Sequence, residues 1–365
     1  EEAVLSLHPD EMRRRRLLNG DLVKVRSRRG SLIVPVQADD SVRFGQAYLP
    51  MHWGNRFLKG LGTNVLTQPA FDPLSKQPEL KQAGVEAEKV DLLWPTCEEI
   101  FHVATLHEEL SSRVRLFCDP ITVLEPLHHK LKFALFAGEN APDSWAPADA
   151  PSGQKLVWKP CYSRFAVRTR LDRPPSTAGW MAQEFVAGEE FSSWALCIEG
   201  EVRALTFYDC PARAGRGAGC AFDPLWDEKA AAFVGEIARS LHFTGSLAFD
   251  FIRSNTGHFR VIECNPRLTS GLHVLDASVR LTDLLERPVE MPPPMNPAQL
   301  LLPTLLSTPL VAWSSPDVIS APDDRSPSRM QVLGIAELAG IALRHLISLP
   351  AASTRDIEYN GQDGD

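Results

Sequence analysis

The sequence predicts an α+β protein of several domains, in which a β-rich N-terminal segment precedes a larger region with antiparallel sheets. At roughly 100–200 residues per domain, the 365 residues are enough for two or three domains. Runs of alternating apolar and polar residues, typical of strands, recur along the chain and are separated by helical segments in the larger region. Two such runs, 245–252 and 259–264, flank the turn 254–257 and predict an antiparallel hairpin.

Residues 1–92 form the first zone of the sequence. The segments 21–26 and 31–37 alternate apolar and polar residues, and Arg29 and Gly30 lie between them, so we expect a β-hairpin there. No helical period is sustained in this zone. We therefore expect a small β-barrel or part of one.

Residues 93–287 form the second zone and mix helices with strands. Thr96 followed by Glu99 is a capping box and predicts a helix that continues to about Leu110. An alanine-rich amphipathic helix is predicted over 227–241. The predicted strands in this zone, besides the hairpin, are 156–160, 180–186, 191–198 and 202–208. This alternation is typical of an α/β domain with antiparallel sheets.

The C-terminal part divides in two. Residues 288–330 contain ten prolines, which predicts an extended connector without regular elements. Residues 331–365 carry a final helix over about 331–349, followed by a tail. Glu337, Arg344 and His345 interrupt its apolar residues, so we expect a packing helix rather than a membrane helix.

Composition and charge exclude several classes of protein. The net charge is −8, from 38 basic and 46 acidic residues, which argues against general binding to nucleic acid or to a membrane surface. The seven cysteines form no Cys-x-x-Cys pair, so we expect reduced thiols in a cytoplasmic protein. No apolar stretch reaches the roughly 18–20 residues of a membrane span. The sequence leaves the oligomeric state open.

The predicted hairpin at 245–264 carries the most informative polar residues. Asp250 lies on its first strand, and Glu263 and Asn265 lie on its second strand, two residues apart and therefore on the same face. Three oxygen-bearing side chains on one sheet face suit Mg²⁺, which prefers hard oxygen ligands and bridges to phosphates. A solvated hairpin face with incidental acidic residues is the alternative, although carboxylates among apolar residues are costly without a partner.

This hairpin resembles that of the ATP-grasp carboxylate–amine ligases, in which an Asp on one strand precedes Glu-x-Asn, often followed by Pro-Arg. Upstream segments agree in order: Lys130 resembles the family's first lysine, Lys159 its phosphate-contacting lysine, and 183–190 its hinge. The resemblance implies that ATP and Mg²⁺ or Mn²⁺ are bound. It places Asp250, Glu263 and Asn265 on the metal, and Lys130, Lys159, Gln183, Glu184, Val186 and Glu190 on the nucleotide, with Glu190 accepting from the ribose hydroxyls.

The resemblance also implies a reaction. ATP phosphorylates a substrate carboxylate, and an amine attacks the acyl phosphate, so the expected partners are a small-molecule carboxylate and a small-molecule amine. Arg267 follows the hairpin and is the candidate catalytic residue, because a guanidinium holds a carboxylate or acyl phosphate through two hydrogen bonds. A structural ion pair is the alternative for Arg267.

The sequence departs from the ATP-grasp pattern in several places. The segment 161–165 lacks the glycines that cover the phosphates in many members. Pro126 interrupts the helix before Lys130, so that helix must kink or end. The segment 213–219 is basic and glycine-rich, either a mobile loop over substrate or phosphate or an ordinary surface loop. The Rossmann-like segment that normally precedes this region is replaced by residues 1–92.

Residues 1–92 resemble a different family, the C-terminal domain of molybdopterin oxidoreductases and in particular of assimilatory nitrate reductases. The resemblance rests on 7–11, 19–25, 27–30, 50–54, 64–67 and 71–81. It implies a truncated double-psi β-barrel, in which Asn64 and Lys81, and less directly Trp53, match positions that contact molybdopterin guanine dinucleotide. Because the cluster and molybdenum ligands of such enzymes are missing, we do not expect that cofactor to be bound.

Three functions remain open from the sequence. The first is an ATP-grasp ligase that carries a foreign N-terminal segment. The second is a molybdopterin-binding fragment of a nitrate reductase. The third is an inactive chimera of the two, because the replaced segment normally helps to form the substrate side of the cleft.

Overall fold

The computed structural model describes residues 3–50, 62–67, 85–163, 169–171, 179–215, 217–255, 257–312, 315–319, 326–353, 355 and 358–361. Two units are distinguished within the chain: residues 1–94 with 108–117, and residues 95–107 with 118–365. The proposed domain boundaries at 92, 287 and 330 remain predictions.

Both strands and helices occur in the described residues of each unit. The strands are β1 Leu5–Leu7, β2 Leu22–Arg26, β3 Ser31–Ala38, β4 Ala47–Tyr48, β5 Glu86–Lys89, β6 Leu92–Leu93, β7 Arg115–Leu116, β8 Ser144–Trp145, β9 Leu156–Pro160, β10 Arg170–Leu171, β11 Trp180–Glu184, β12 Gly188–Ile198, β13 Glu201–Ala214, β14 Ala218–Leu225, β15 Gly245–Ser254, β16 Phe259–Asn265 and β17 Ala298–Gln299. The helices are α1 Pro9–Arg14, α2 Glu99–Thr105, α3 His107–Ser111, α4 Ile121–His128, α5 Lys130–Ala137, α6 Glu228–Ser240, α7 Leu281–Leu284, α8 Leu301–Ser307, α9 Ser326–His345 and α10 Leu349–Ala352. Short 3₁₀ turns lie at Gly62–Leu66, Gly138–Asn140 and Ser270–Val274.

The first unit contains a five-stranded open sheet in the order β4-β1-β3-β2-β5. The predicted hairpin is β2 and β3, which pair antiparallel from Leu22 opposite Pro35 to Arg26 opposite Ser31. Val23 and Val25 are fully buried while Lys24 points outward, as the alternation predicts. The sheet is the predicted truncated barrel.

The second unit contains two antiparallel sheets. The smaller has the order β10-β9-β11-β8, and the larger has the order β16-β15-β12-β13-β14-β17. Along β15, Phe249 and Phe251 pack against Phe233 of α6, with ring centroids 5.5 and 6.2 Å apart. Because successive side chains alternate in a strand, Asp250 lies on the opposite face of the larger sheet.

Helix α6 packs against one face of the larger sheet. Asp227 caps the helix, accepting hydrogen bonds from the backbone N–H groups of Lys229 and Ala230 at 3.1 and 3.0 Å. The buried residues of the helix are spaced as one stripe: Ala230, Phe233, Val234, Ile237 and Ala238. This stripe covers one face of the sheet, and Asp250 lies on the other.

One of the two helical expectations for 96–130 differs from the structure and the other agrees with it. The helix expected from Thr96 to about Leu110 is divided at Leu106, so that α2 ends at Thr105 and α3 begins at His107. The capping interaction itself is present, because Glu99 Oε1 accepts from the backbone N–H of Thr96 at 2.8 Å. Helix α4 contains Pro126 and ends at His128, in agreement with the expected break before Lys130.

The expectation of no regular element in 288–330 is wrong. Strand β17 and helix α8 lie within this segment, and α9 begins there at Ser326. Pro303 is tolerated in α8 because it lies in the first turn, where the backbone nitrogen needs no acceptor within the helix. Proline content alone was a poor guide, because a proline in a first turn does not prevent a helix.

Part of the segment 213–219, expected to be a loop, lies in strands, and the choice between a mobile loop and an ordinary surface loop stays a prediction. Strands β13 and β14 extend into this segment, and Arg213 pairs with Gly219 while Ala214 pairs with Ala218. Glycine on this strand leaves room for a neighbour, since a Cβ at Gly219 would lie 2.8 Å from Cys210 Sγ. The described residues on either side of 216 therefore belong to a β-hairpin.

The final helix starts earlier than expected and is largely exposed. It spans Ser326–His345 rather than 331–349, and α10 follows at Leu349–Ala352. Val332, Leu333 and Leu343 are all more than half exposed, which differs from the packing role predicted for this helix. None of the helices that the structure describes has the length and apolar composition needed to cross a bilayer.

Candidate functional site

Three neighbouring strands of the larger sheet bring polar residues into one row. Ser192 on β12 lies opposite Asp250 on β15, and Asp250 lies opposite Glu263 on β16. The Ser192 hydroxyl donates a hydrogen bond to Asp250 Oδ1 at 2.6 Å. Strand pairing thus places both predicted metal-binding carboxylates on the face opposite α6.

A β-bulge in β16 shapes the row. Asp250 pairs with Glu263 and the next residue, Phe251, pairs with Val261, so Ile262 is an extra residue in the second strand. Bulges of this kind disrupt the ladder and redirect side chains near functional sites. The Ile262 carbonyl accepts a hydrogen bond from Lys159 Nζ at 3.0 Å instead.

Asn265 lies beside both carboxylates. Its Nδ2 is 3.4 Å from Asp250 Oδ2 and 3.3 Å from Glu263 Oε1. Its Oδ1 accepts from Arg267 Nη2 at 3.3 Å. The structure therefore brings together all three residues predicted to bind a metal.

Lys130 approaches Glu263 from the start of helix α5. Its Nζ lies 2.8 Å from Glu263 Oε2 and donates to the Ser163 carbonyl at 3.0 Å. The side chain is buried, and its backbone N–H donates to the Cys161 carbonyl at 3.0 Å. Helix α4 ends at His128 and His129 caps α5, so Lys130 lies at the first position of the new helix.

Lys159 approaches the same row from the smaller sheet. It is buried on β9, and its Nζ donates to Gln183 Oε1 at 2.9 Å on the neighbouring strand β11. Gln183 is held in turn by the Ser144 hydroxyl, which accepts from Nε2 at 3.0 Å. Two lysines and two carboxylates therefore converge between the two sheets.

The charges in this cluster perturb one another. Burial, followed by the negative charge of Glu263, raises the pKa of Asp250 to about 7. Burial works in the same direction on Glu263, but the ammonium groups of Lys130 and Lys159 outweigh it and lower the pKa of Glu263. Burial, aided by Lys130, lowers the pKa of Lys159 to about 8. A further positive charge at this row would therefore stabilise the ionised form of Asp250.

The oxygen donors of the row fit a hard divalent cation whose remaining coordination positions are filled by other ligands. In the part of the chain that the structure describes, no group of three His, Cys, Asp or Glu side chains is arranged to hold a metal ion, so the row offers two carboxylates and one amide. Mg²⁺ is commonly held by one or two carboxylates together with waters and substrate phosphates. The paired carboxylates and the two buried lysines beside them agree with a site for a cation and phosphate groups.

The predicted hinge follows β11. The Glu184 backbone N–H donates to the Asp143 carbonyl at 2.8 Å, and the Phe185 N–H donates to the Lys155 carbonyl at 3.2 Å. Among the described residues, the Val186 N–H takes part in no backbone–backbone hydrogen bond. Lys155 Nζ lies 3.7 Å from the centre of the Phe185 ring, a cation–π contact.

Glu190 is already partnered. Its Oε2 lies 3.0 Å from Arg213 Nη2, although the Glu190 side chain is 59% exposed. A ribose that uses Glu190 as its acceptor must share the carboxylate with this arginine or displace it.

Arg267 forms the structural ion pair that the sequence left as the alternative to a catalytic role. Its Nε lies 3.2 Å from Oε1 of Glu98, a carboxylate that is fully buried. The other Glu98 oxygen accepts from the Tyr359 backbone N–H at 3.4 Å. Arg267 nevertheless contacts Asn265, so it borders the carboxylate row.

The N-terminal candidate residues lie elsewhere. Asn64 is exposed on the 3₁₀ turn Gly62–Leu66 of the first unit. Trp53 and Lys81 lie outside the described residues. The roles of these three residues in binding molybdopterin guanine dinucleotide stay predictions.

Sequence reasoning missed two residues of the site, Ser192 and Glu98. Ser192 lies two positions after Glu190, and strand alternation from the hinge motif predicts that both share a face. That signal was available. The pairing of Glu98 with Arg267 joins residues 169 positions apart, and no local pattern indicates it.

Family comparisons match the two parts of the chain separately. The family model for the ATP-grasp domain matches residues 135–271, which contain Lys159, the predicted hinge and the hairpin of β15 and β16. The model for the Molydopterin dinucleotide binding domain matches residues 1–84. Both resemblances predicted from the sequence are confirmed, and so is the fold class of a truncated barrel followed by an ATP-grasp fold.

A curated relative matches only the N-terminal part. The nitrate reductase of Klebsiella oxytoca is 39% identical over 84 residues, which is 23% of this chain and 10% of that protein. The chain thus spans about a tenth of the length of this relative.

Two solved structures are similar to the larger part. The biotin carboxylase domain of the Hydrogenobacter thermophilus 2-oxoglutarate carboxylase aligns with 56% of this chain and 56% of its own, at 15% identity and a TM-score of 0.46. N5-carboxyaminoimidazole ribonucleotide synthetase from Thermus thermophilus aligns with 56% of this chain and 64% of its own, at 19% identity and a TM-score of 0.42.

Proposed function

We propose that the ATP-grasp domain of this chain binds ATP with Mg²⁺ or Mn²⁺ between the two sheets of the second unit and acts as a carboxylate–amine ligase. The observation that carries this proposal is the convergence of Lys130 and Lys159 on the Asp250–Glu263 pair. The closest contact, 2.8 Å, joins Lys130 Nζ to Glu263 Oε2. A buried cluster of carboxylates and lysines suits a metal–phosphate complex, because the carboxylates neutralise the metal ion and the lysines neutralise the phosphates.

The chain's own residues supply binding and orientation. Lys130 and Lys159 are point charges that neutralise phosphate oxygens, and Gln183 holds the Lys159 ammonium in place. The hinge after β11 offers the Val186 N–H to the adenine edge. When bound, the divalent cation supplies charge neutralisation at the phosphates through Asp250, Glu263 and Asn265.

The reaction class follows from the groups that are present and from the domain. Transfer of the terminal phosphoryl group to a substrate carboxylate needs positioning and positive charge rather than a protein nucleophile. Arg267 borders the site and holds the acyl phosphate or the carboxylate, while the Glu98 carboxylate keeps its guanidinium in place. An amine then displaces phosphate to form the amide.

The first experiment measures binding of ATP with magnesium to the full chain by calorimetry. Replacing Glu263 with Gln removes one formal charge with little change in shape, and we expect the affinity to fall about tenfold or more, which is ~1.4 kcal/mol or more. Glu139→Gln is the matched control, because this glutamate is exposed on the same unit and carries the same charge change. Equal affinity in the two variants would reject the metal site.

The ligase step needs a second measurement. We expect ADP release that depends on both a carboxylate and an amine when mixtures of small-molecule candidates are supplied. Nucleotide binding without such release across a broad panel would favour the inactive chimera, because binding and turnover then separate.

All seven cysteines are unpaired, which supports placing the protein in the cytoplasm.

The match of residues 1–84 favours a second candidate function, binding of molybdopterin guanine dinucleotide by the N-terminal unit. Metal analysis of the purified full chain tests it, because one molybdenum per chain would support this function. We expect substoichiometric molybdenum and no nitrate reduction with an artificial electron donor, since the part matched is a small share of a nitrate reductase.

A further inference from the structure

We propose that Ser192 sets the metal specificity of this site by leaving Asp250 a single oxygen for the cation. The consequence is a preference for Mg²⁺ or Mn²⁺ over Ca²⁺. This inference rests on the proposed function, because it concerns the cation that accompanies ATP.

The two oxygens of Asp250 have different surroundings. Oδ1 accepts the Ser192 hydroxyl at 2.6 Å, a short charge-assisted hydrogen bond. Oδ2 accepts a longer hydrogen bond from Asn265 Nδ2 at 3.4 Å. Because Ser192 and Asp250 are directly opposite in paired strands, the backbone fixes this contact.

Glu263 is divided in the same way. Lys130 Nζ occupies Oε2 at 2.8 Å, and Oε1 faces Asn265 at 3.3 Å. Each carboxylate therefore has one oxygen in a short contact with Ser192 or Lys130 and one that accepts a longer hydrogen bond from Asn265 Nδ2. A cation that binds Asp250 Oδ2 and Glu263 Oε1 displaces only these longer hydrogen bonds.

The two cations differ in what they need from such a pair. Ca²⁺ takes six to eight oxygens and often binds a carboxylate through both of its oxygens, whereas Mg²⁺ keeps near-octahedral geometry with single oxygens and several waters (roughly 2.0–2.1 Å for Mg²⁺ against 2.3–2.6 Å for Ca²⁺). A carboxylate anchored by a neighbouring hydroxyl cannot rotate to offer both oxygens without losing that hydrogen bond. Ser192 therefore disfavours Ca²⁺ more than Mg²⁺.

The adjacent residue provides a matched control. Ser193 is fully buried on the opposite face of β12, and its hydroxyl has no hydrogen-bond partner among the described residues. Ser192→Ala and Ser193→Ala make the same chemical change one position apart in one strand. Only the first removes a donor from Asp250.

The experiment measures the dissociation constant of ATP for the full chain at saturating Mg²⁺ and at saturating Ca²⁺, with calorimetry. We expect the wild-type chain to bind ATP about tenfold or more tightly with Mg²⁺, and Ser192→Ala to reduce this preference by about tenfold, the effect of a charge-assisted hydrogen bond. Ser193→Ala is expected to keep the wild-type preference. Ser192→Thr retains a hydroxyl and is expected to keep it as well.

The outcomes separate the two proposals. Failure of the wild-type chain to bind ATP with either cation overturns the proposed function and this inference with it. A wild-type preference that survives in Ser192→Ala, or that falls equally in Ser193→Ala, overturns the inference alone. If Ser192→Ala does not fold, Ser192→Cys, which keeps the volume but donates weakly, takes its place with the same expected loss of preference.

Discussion

Asp119 provides a test of the electrostatics of the second unit, away from the carboxylate row. Burial raises its pKa from the usual 3.8 to about 6, although Oδ2 accepts the backbone N–H of Thr244 at 3.1 Å and His107 also favours the charged form. The folded chain therefore binds this proton more tightly than the unfolded chain. The stability that this group contributes is complete below about pH 4 and is lost as the pH rises through about 6.

The magnitude follows from the difference between the two pKa values. Roughly two pKa units at ~1.4 kcal/mol each give about 3 kcal/mol, which partial solvent exposure of the side chain reduces to about 1–2 kcal/mol. Asp119→Asn keeps an oxygen that accepts the Thr244 backbone N–H, and its amide side chain stays neutral at every pH in this range. We therefore expect the free energy of unfolding of the variant, relative to wild type, to rise by about 1–2 kcal/mol between pH 4 and pH 7.

Urea denaturation at four pH values between 4 and 7 measures this difference. Asp149→Asn is the control, because Asp149 is exposed on the same unit. Parallel stability curves for wild type and Asp119→Asn would refute the reasoning, because no proton uptake would then be linked to Asp119.

Three further predictions concern stability. Asp227→Ala removes the cap of α6 and the ion pair with Arg253 at 2.9 Å, and thermal denaturation should show a loss of about 1–2 kcal/mol. Gly235→Ala lies within α6 with open space around it and should stabilise by about 0.5–1 kcal/mol. Gly271→Ala should instead destabilise by about 1–3 kcal/mol, because its Cβ would lie 2.4 Å from that of Trp194. Equal effects of the two glycine substitutions would contradict this packing argument.

The sequence predicted the metal hairpin because its signal is local. Alternation within each strand and a short turn fix which residues share a face, so Asp250, Glu263 and Asn265 were assembled correctly. The bulge at Ile262 was not predicted, since an extra residue within an apolar alternation leaves no separate trace in the sequence. Its carbonyl nevertheless holds Lys159 in place.

Contacts between distant segments were beyond sequence reasoning. The pairing of Glu190 with Arg213 depends on how far β13 extends, and the glycines of 213–219 obscured that strand. The partner of Arg267 depends on where α2 begins relative to β16, which no periodicity specifies. Local patterns therefore predicted the residue types of the site, while tertiary packing decided their partners.

The order of strands in the larger sheet gives the two halves of the carboxylate row unequal rigidity. Asp250 lies on β15, which is hydrogen-bonded on both sides by β12 and β16, whereas Glu263 and Asn265 lie on β16 at the edge of the sheet. Edge strands open locally at lower free energy than interior strands. A ligand that contacts all three side chains therefore links the edge strand β16 to the interior strand β15 and stabilises β16 against local opening. Protection of backbone amides from exchange should rise on β16 and remain nearly constant on β15.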